Sequence, residues 1–269
     1  MNALSPGSAA AASAVQWIYE FQHDAAHVED NCRAALQLVC EPADSSFSSQ
    51  FKLFALNSLE SLIKSGWYNM SQEFREDVKR NLESLLPDAS LSANFLSDAL
   101  SRCVVEVMVR EWPQKWPQLL PLMLSIPKSG SVLHVLWRLA EDIGVHFKPN
   151  NPQRRREILN TITENLKSIL GYIWDCLQSD QSVLCLFSLK TLTAYLEWTP
   201  IESQLIRFLC HILSTSCSPE NHLLIQSKSI ACECLVSIVS RKKMKESETE
   251  AIAVLFTDEI LSVLLHLLR

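Results

Sequence analysis

The 269 residues carry 24 Lys and Arg against 30 Asp and Glu, a formal net charge of -6, with 48% apolar residues and only 5 Gly. That balance favours packed helices over turn-rich β architecture or disorder, and the acidic charge argues against the chain as a whole gripping nucleic-acid phosphates. Apolar runs stay short of 18 residues, and the Ala-rich start at 8–15 lacks the basic flank and apolar core of a secretory signal, so the expectation is a chain that neither spans a membrane nor is secreted.

Residues 1–13 are rich in Ala, Ser and Gly and read as a frayed start; 14–269 read as one helical array. Trp17, Ile18 and Phe21, then Val28, Cys32, Ala35, Leu36 and Val39, give a first pair of helices. Phe47, Phe51, Phe54, Ala55, Leu59, Leu62 and Ile63 trace the next stripe, which Gly66 closes as a C-terminal cap, with Trp67 and Tyr68 directly after. Ser71 caps a partner helix carrying Phe74, Val78, Leu82 and Leu85. Leu96, Leu100, Cys103, Val104 and Val107 then form one apolar face and leave Arg102, Glu106, Arg110 and Glu111 on the wet side. Pro113 disfavours helical geometry at Trp112, Pro117 suits the first turn of a new helix, and the rings of Trp112 and Trp116 are expected to pack the two helices together.

The connection at 124–131 is short, so the stripe Leu133, Leu136, Leu139 and Ile143 arrives early. Asn151 and Pro152 offer an N-cap and a first-turn proline; Ile158, Ile162, Leu166, Ile169, Ile173 and Leu177 extend from them over roughly 40 Å of helix. Three more amphipathic helices follow at 182–196, 201–213 and 222–240, and a last at 251–268 whose faces stay broadly apolar. A terminal repeat should carry a polar outer face, so the expected fold is an all-α solenoid of HEAT-type hairpins, about six pairs, truncated at its C-terminus.

The repeat is visible in the residues themselves. Phe54-Ala55-Leu56-x-Ser58-Leu59-x-Ser61-Leu62-Ile63 and Phe187-Ser188-Leu189-x-Thr191-Leu192-x-Ala194-Tyr195-Leu196 share one pattern, each closing on a Trp, Trp67 and Trp198. They begin 133 positions apart, three units of about 44 residues, inside the range of HEAT and armadillo repeats. Leu100, Cys103 and Val107 repeat the stripe 44 positions after Leu56, Leu59 and Ile63, and Cys232, Leu235 and Val239 repeat it 43 after Leu189, Leu192 and Leu196.

No Gly-rich phosphate loop, GxSxG elbow or HExxH pair occurs, and the 7 histidines are scattered; an enzyme, a cofactor or a small-molecule substrate is not expected. His134 and His211 lie in apolar stripes and read as core histidines. The 9 cysteines are odd in number and mostly sit on apolar faces (Cys32, Cys103, Cys185, Cys210), while Cys232 and Cys234 face apart on one helix. Free thiols and no metal are expected. Of two basic clusters, Arg241-Lys242-Lys243-x-Lys245 follows a helix and complements its negative end. Arg154-Arg155-Arg156 opens a helix against the dipole, at a cost of a few tenths to about 1 kcal/mol unless anions compensate, and is the better candidate for a binding face.

Arg110-Glu111-Trp112-Pro113-Gln114-x-Trp116-Pro117 after a Val-rich helix, then Arg138-Leu139-Ala140-Glu141-Asp142, Pro152-Gln153-Arg154-Arg155-Arg156, Leu192-x-Ala194-Tyr195-x-x-Trp198 and Val239-Ser240-Arg241-Lys242, form an ordered marker set. In order and rough spacing it resembles the N-terminal arch of nuclear export receptors of the importin-β superfamily, the karyopherins. The resemblance implies binding of the small GTPase Ran in its GTP state through the second helices of the arch, contact with nuclear pore proteins, and shuttling between nucleus and cytoplasm. It also implies a structured RNA cargo such as microRNA precursors, held weakly by these repeats alone. Trp67, Trp116, Arg154, Arg155 and Arg156 are the residues nominated for contact with Ran or cargo. The competing reading is a static HEAT scaffold without a GTPase switch.

Overall fold

The computed structural model describes residues 16, 27–40, 46–88, 91, 94–143, 151–196, 199, 202–215, 220–241, 246–253, 255 and 257. Among them the regular structure is helical: α1 (Val28–Cys40), α2 (Ser46–Gly66), α3 (Gln72–Leu85), α4 (Asn94–Glu111), α5 (Leu119–Ser125), α6 (Gly130–Glu141), α7 (Pro152–Leu177), α8 (Ser182–Tyr195), α9 (Ser203–Ser214), α10 (His222–Val239) and α11 (Glu246–Ala253). The fold is all-α, of HEAT-type hairpins. The chain divides into two compact units, Met1–Leu139 with Asn151–Ile158, and Ala140–Asn150 with Leu159–Arg269.

In the first unit α1 packs on α2, α2 stacks on α4, and α3 lies against both α1 and α4. The hairpin partner of α2 is therefore α1 and not, as expected, the Ser71-capped α3; first helices neighbour first helices, and second helices neighbour second helices. The apolar stripes meet as the 44-residue register requires: Leu56, Leu59 and Ile63 of α2 and Leu100, Cys103 and Val107 of α4 are all fully buried. Polar contacts keep the same period. Cys103 Sγ donates to the Leu56 carbonyl 47 positions back, Arg102 reaches Glu60 at 42, and Arg110 reaches the Lys64 carbonyl at 46. The early arrival of α6 is real as well, since Ser131 meets Ser97 after only 34 positions and Arg138 meets Ser101 after 37.

Helix ends follow local chemistry. The Ser71 hydroxyl accepts from Phe74 N–H, while the Ser71 N–H donates to Glu29 of α1 at 2.5 Å, so the start of α3 is tied to the preceding hairpin. Asn151 Oδ1 accepts from the N–H groups of Gln153 and Arg154 at the start of α7. Gly66 departs from the expectation. Its φ is -121°, not left-handed, and what it supplies is room: a Cβ there would stand 2.7 Å from Val28 Cγ1, so only glycine lets α1 come this close. α4 ends at Glu111, ahead of the Trp112–Pro113 step, which is cis.

In the second unit α8 stacks on α10, α9 pairs with α10, and α9 neighbours α11. Trp174 of α7 and Phe208 of α9 bring their ring centroids to 5.1 Å. Thr193 and Cys234 share a hydrogen bond of 3.2 Å across 41 positions, so the period persists. By length and composition α10 is apolar enough to cross a membrane, although Gln226, Lys228 and Glu233 interrupt its apolar run. It is packed here on α8 and α9. α11 starts at Glu246, earlier than expected, and most of the expected last helix, like Trp17, Ile18, Phe21 and Trp198, lies outside the described residues. His134 is buried, as a core histidine should be, whereas His211 is exposed on α9.

Candidate functional site

The corner after α4 gathers the nominated residues of the first unit. Trp67, Trp112 and Trp116 are among the largest fully buried side chains. The packing expected of Trp112 and Trp116 is found, and the nomination of Trp67 and Trp116 for partner contact is not supported, because their buried rings leave no free face. Each indole N–H has a carboxylate: Trp67 Nε1 donates to Glu111 at 3.0 Å, and Trp116 Nε1 to Glu83 at 2.6 Å. That is how a buried Trp keeps its polar edge satisfied.

Glu111, placed on the wet face by periodicity, is only 3% exposed. Arg75 Nη1 reaches it at 3.4 Å and Lys79 Nζ at 3.7 Å. Lys79 is itself 1% exposed and is held by Glu76 at 2.5 Å and by the Lys115 carbonyl at 2.8 Å, beyond the end of α4. Sequence reasoning missed both, because a charged residue one step off an apolar stripe reads as solvated unless its partners, here 32 and 36 positions away, are known. Gln72, Arg75, Glu76, Glu111 and Lys115 line a polar pocket of about 350 Å3 over this group.

The three arginines that open α7 separate by role. Arg154 points to the carboxyl end of α4: Nε donates to the Val109 carbonyl at 2.9 Å, Nη2 to the Met108 carbonyl at 3.2 Å and also to that of Trp112. Its Nη1 bonds Gln114 and Glu157. The cost of a cation at its own helix start is offset by the negative end of another helix, where unpaired carbonyls collect. Arg155 is half-buried and Arg156 exposed. Arg241 repeats the device: it donates to the Leu196 and Thr199 carbonyls past the end of α8, 45 and 42 positions back, and pairs with Glu248 at 3.2 Å. Arg154 reaches Val109 and Trp112 over the same 45 and 42 positions. Arg241 thus completes the preceding hairpin's helix rather than its own, which corrects the sequence reading; Lys242, Lys243 and Lys245 lie outside the described residues.

The second helices of the first unit carry an ion ladder. Lys64 and Arg102 both bond Glu60, at 2.5 and 2.6 Å; Arg102 also bonds Asp98, which Arg138 of α6 takes at 2.5 Å. Burial pushes the Glu60 carboxyl up, but hydrogen bonds from Lys64 and Arg102 outweigh it and hold it below its ordinary value. Five of the described cysteines, Cys32, Cys103, Cys176, Cys210 and Cys234, are buried, and burial lifts the Cys32 thiol to about 12 and raises Cys103 further, while Cys40 and Cys232 are exposed. In the second unit a mainly apolar groove of about 620 Å3 runs between α7 and α9, with Leu166, Leu170, Trp174 and Leu205 on its walls and Lys167 and Glu202 at its rim.

Stacked helical hairpins with a buried charged corner define a HEAT-type helical-repeat protein. Residues 93–235 match the family described as Exportin 1-like protein, and the chain belongs to that exportin family of the importin-β superfamily. It is 32% identical over 233 residues to Exportin-5 of Homo sapiens, 26% over 235 to Exportin-5 of Dictyostelium discoideum, and 28% over 234 to Protein HASTY 1 of Arabidopsis thaliana. These stretches cover 75–76% of this chain but 19–20% of each relative, so the chain spans about a fifth of the length of the curated relatives it matches.

Proposed function

We propose that this chain works as the N-terminal arch of a nuclear transport receptor that binds Ran in its GTP state and shuttles between nucleus and cytoplasm. The observation that carries the reading is the exportin-family match across residues 93–235, on a fold in which second helices stack on second helices. The face formed by α2, α4 and α6, bearing Lys64, Glu60, Arg102, Asp98 and Arg138, is the surface offered to Ran. Of the nominated arginines, Arg156 is the one with an exposed side chain, with Arg155 beside it, since Arg154 is spent on α4. Structured RNA such as microRNA precursors is the cargo class that the family resemblance implies. A net charge of -6 leaves these repeats able to hold it only weakly and with steep salt dependence.

Directional transport needs a partner that discriminates nucleotide states, because equal affinity for both shifts nothing however tight it is. Calorimetry with Ran loaded with GTP or GDP is expected to show a preference above about tenfold, or roughly 1.4 kcal/mol. Indistinguishable affinities would favour the static scaffold. Reversing Arg155 and Arg156 to Glu should reduce the preference; an unchanged preference returns them to the solvated surface.

A further inference from the structure

The polar pocket beside the corner holds more hydrogen-bond donors than acceptors, and its occupant follows from that imbalance. We infer that the pocket lined by Gln72, Arg75, Glu76, Glu111 and Lys115 is a docking site for one side-chain carboxylate, an Asp or Glu presented by a protein partner. Three cations, Arg75, Lys79 and Lys115, meet two carboxylates, Glu76 and Glu111, which leaves a surplus of one positive charge. Trp67 Nε1 and Arg75 Nη1 both fall on one oxygen of Glu111, and Lys79 faces the other. One carboxylate thus serves three donors.

Arg75 shows the consequence. Its only bond to Glu111 is 3.4 Å long, and its Nε–H is buried without an acceptor. A buried donor left unmade costs about 1–3 kcal/mol, and so loosely held a guanidinium turns toward an incoming anion at little expense. Lys115 stands exposed at the pocket mouth, and Gln72, the first residue of α3, adds an amide and the positive end of a 14-residue helix. Arginine's planar fork with a lysine beside it suits a carboxylate.

The charge count also sets the class of ligand. A surplus of one matches a monoanion, and the two resident carboxylates repel a dianion. A nucleic-acid backbone presents a row of phosphates, whereas here Glu73 and Glu76 stand exposed beside a single site. A protein carboxylate fits, independently of whether Ran is the partner.

The test uses the full chain and the Trp67 indole N–H, which shares Glu111 with Arg75 and so senses the pocket; its NMR resonance is assigned by Trp67→Phe. Titration with the capped tripeptide acetyl-Gly-Glu-Gly-amide should shift it saturably, with millimolar affinity. The Gln counterpart should leave it in place. Lys115→Gln, a surface change that spares the fold, should weaken the Glu peptide about threefold to tenfold, and Arg75→Gln, where circular dichroism shows it folded, should abolish the shift. Equal shifts from the Gln peptide, no saturable shift, or unchanged affinity in Lys115→Gln would each overturn the site. A response to dimethyl phosphate as strong as that to the Glu peptide would overturn the choice of carboxylate over phosphodiester.

Discussion

α4 and α10 are both 18-residue second helices in the same repeat register, and they present the same two residues at matching positions: Val104 and Val107 in α4, Val236 and Val239 in α10. In α4 both valines are fully buried; in α10 they are 65% and 51% exposed. Identity and periodicity are alike, so what differs is the neighbour. α4 is stacked on α2 and met by Ser131 and Arg138 of α6, and its polar residues are drawn into the ladder from Lys64 to Arg138. α10 is joined to α8 by apolar packing, Thr193 with Cys234, and the Arg241 clamp. Burial in a repeat array therefore belongs to the stack rather than to the helix.

The strongest way to test the contrast is at the corner below α4. Trp116→Ala should lower stability by about 3–5 kcal/mol in urea unfolding, since it opens a cavity for a fully buried ring and removes its indole bond to Glu83. A loss below about 1 kcal/mol would mean that the corner is not what holds α4 to its neighbours.

The arginine clamps come next. Arg154→Ala and Arg241→Ala should each cost about 1–3 kcal/mol, because each leaves helix-end carbonyls without a charged donor. Lysine should rescue only part, lacking the fork that spans two or three carbonyls. Hydrogen exchange locates the effect: faster exchange should appear at the end of α4 for Arg154 and at the end of α8 for Arg241. If only one variant responds, the shared 42- and 45-residue spacing is not one recurring device.

The ladder predicts a smaller, pH-dependent effect confined to the first unit. The Glu60 carboxyl titrates lower folded than unfolded, so its contribution is present above its ordinary value near 4.5 and is lost as pH falls through the folded value. Glu60→Gln should cost about 1 kcal/mol near neutral pH, discounted for its partly exposed partners, and nothing once the pH lies below both values. A constant difference down to pH 3 would show that packing, not charge, connects Glu60 to Arg102.

The family of contacts was legible where the sequence repeats itself. Periodicity placed the helices, the early α6, the caps at Ser71 and Asn151 and the long α7, because those features depend on residues within one or two turns, but it paired α2 with α3 where the structure pairs it with α1. It failed where a side chain's partner lies a whole repeat away. Glu111 read as wet yet is buried with Lys79, which drew no reading at all, Arg154 read as part of a binding face yet caps α4, and His211 read as core yet is exposed. Gly66 read as a cap by habit of composition, whereas its reason is Val28, 38 positions earlier. Candidate surfaces suffered most, since exposure is set by the neighbouring hairpin, which no local pattern encodes.

The smallest predicted effect is the sharpest control on that conclusion. Val104→Ala removes two buried methyl groups and should cost about 2 kcal/mol. Val236→Ala makes the same chemical change at the same register position, on a helix of equal length, and should stay within about 0.5 kcal/mol. Helix propensity favours Ala over Val equally at both sites and so cancels in the comparison. Chemical denaturation of the two variants in parallel gives the difference directly. If Val236→Ala costs as much as Val104→Ala, then α10 is covered in solution by something that buries this face, and the array continues where the described helices leave it open; if Val104→Ala is as mild as Val236→Ala, stacking on α2 and α6 contributes little and the ion ladder alone sets the register of α4.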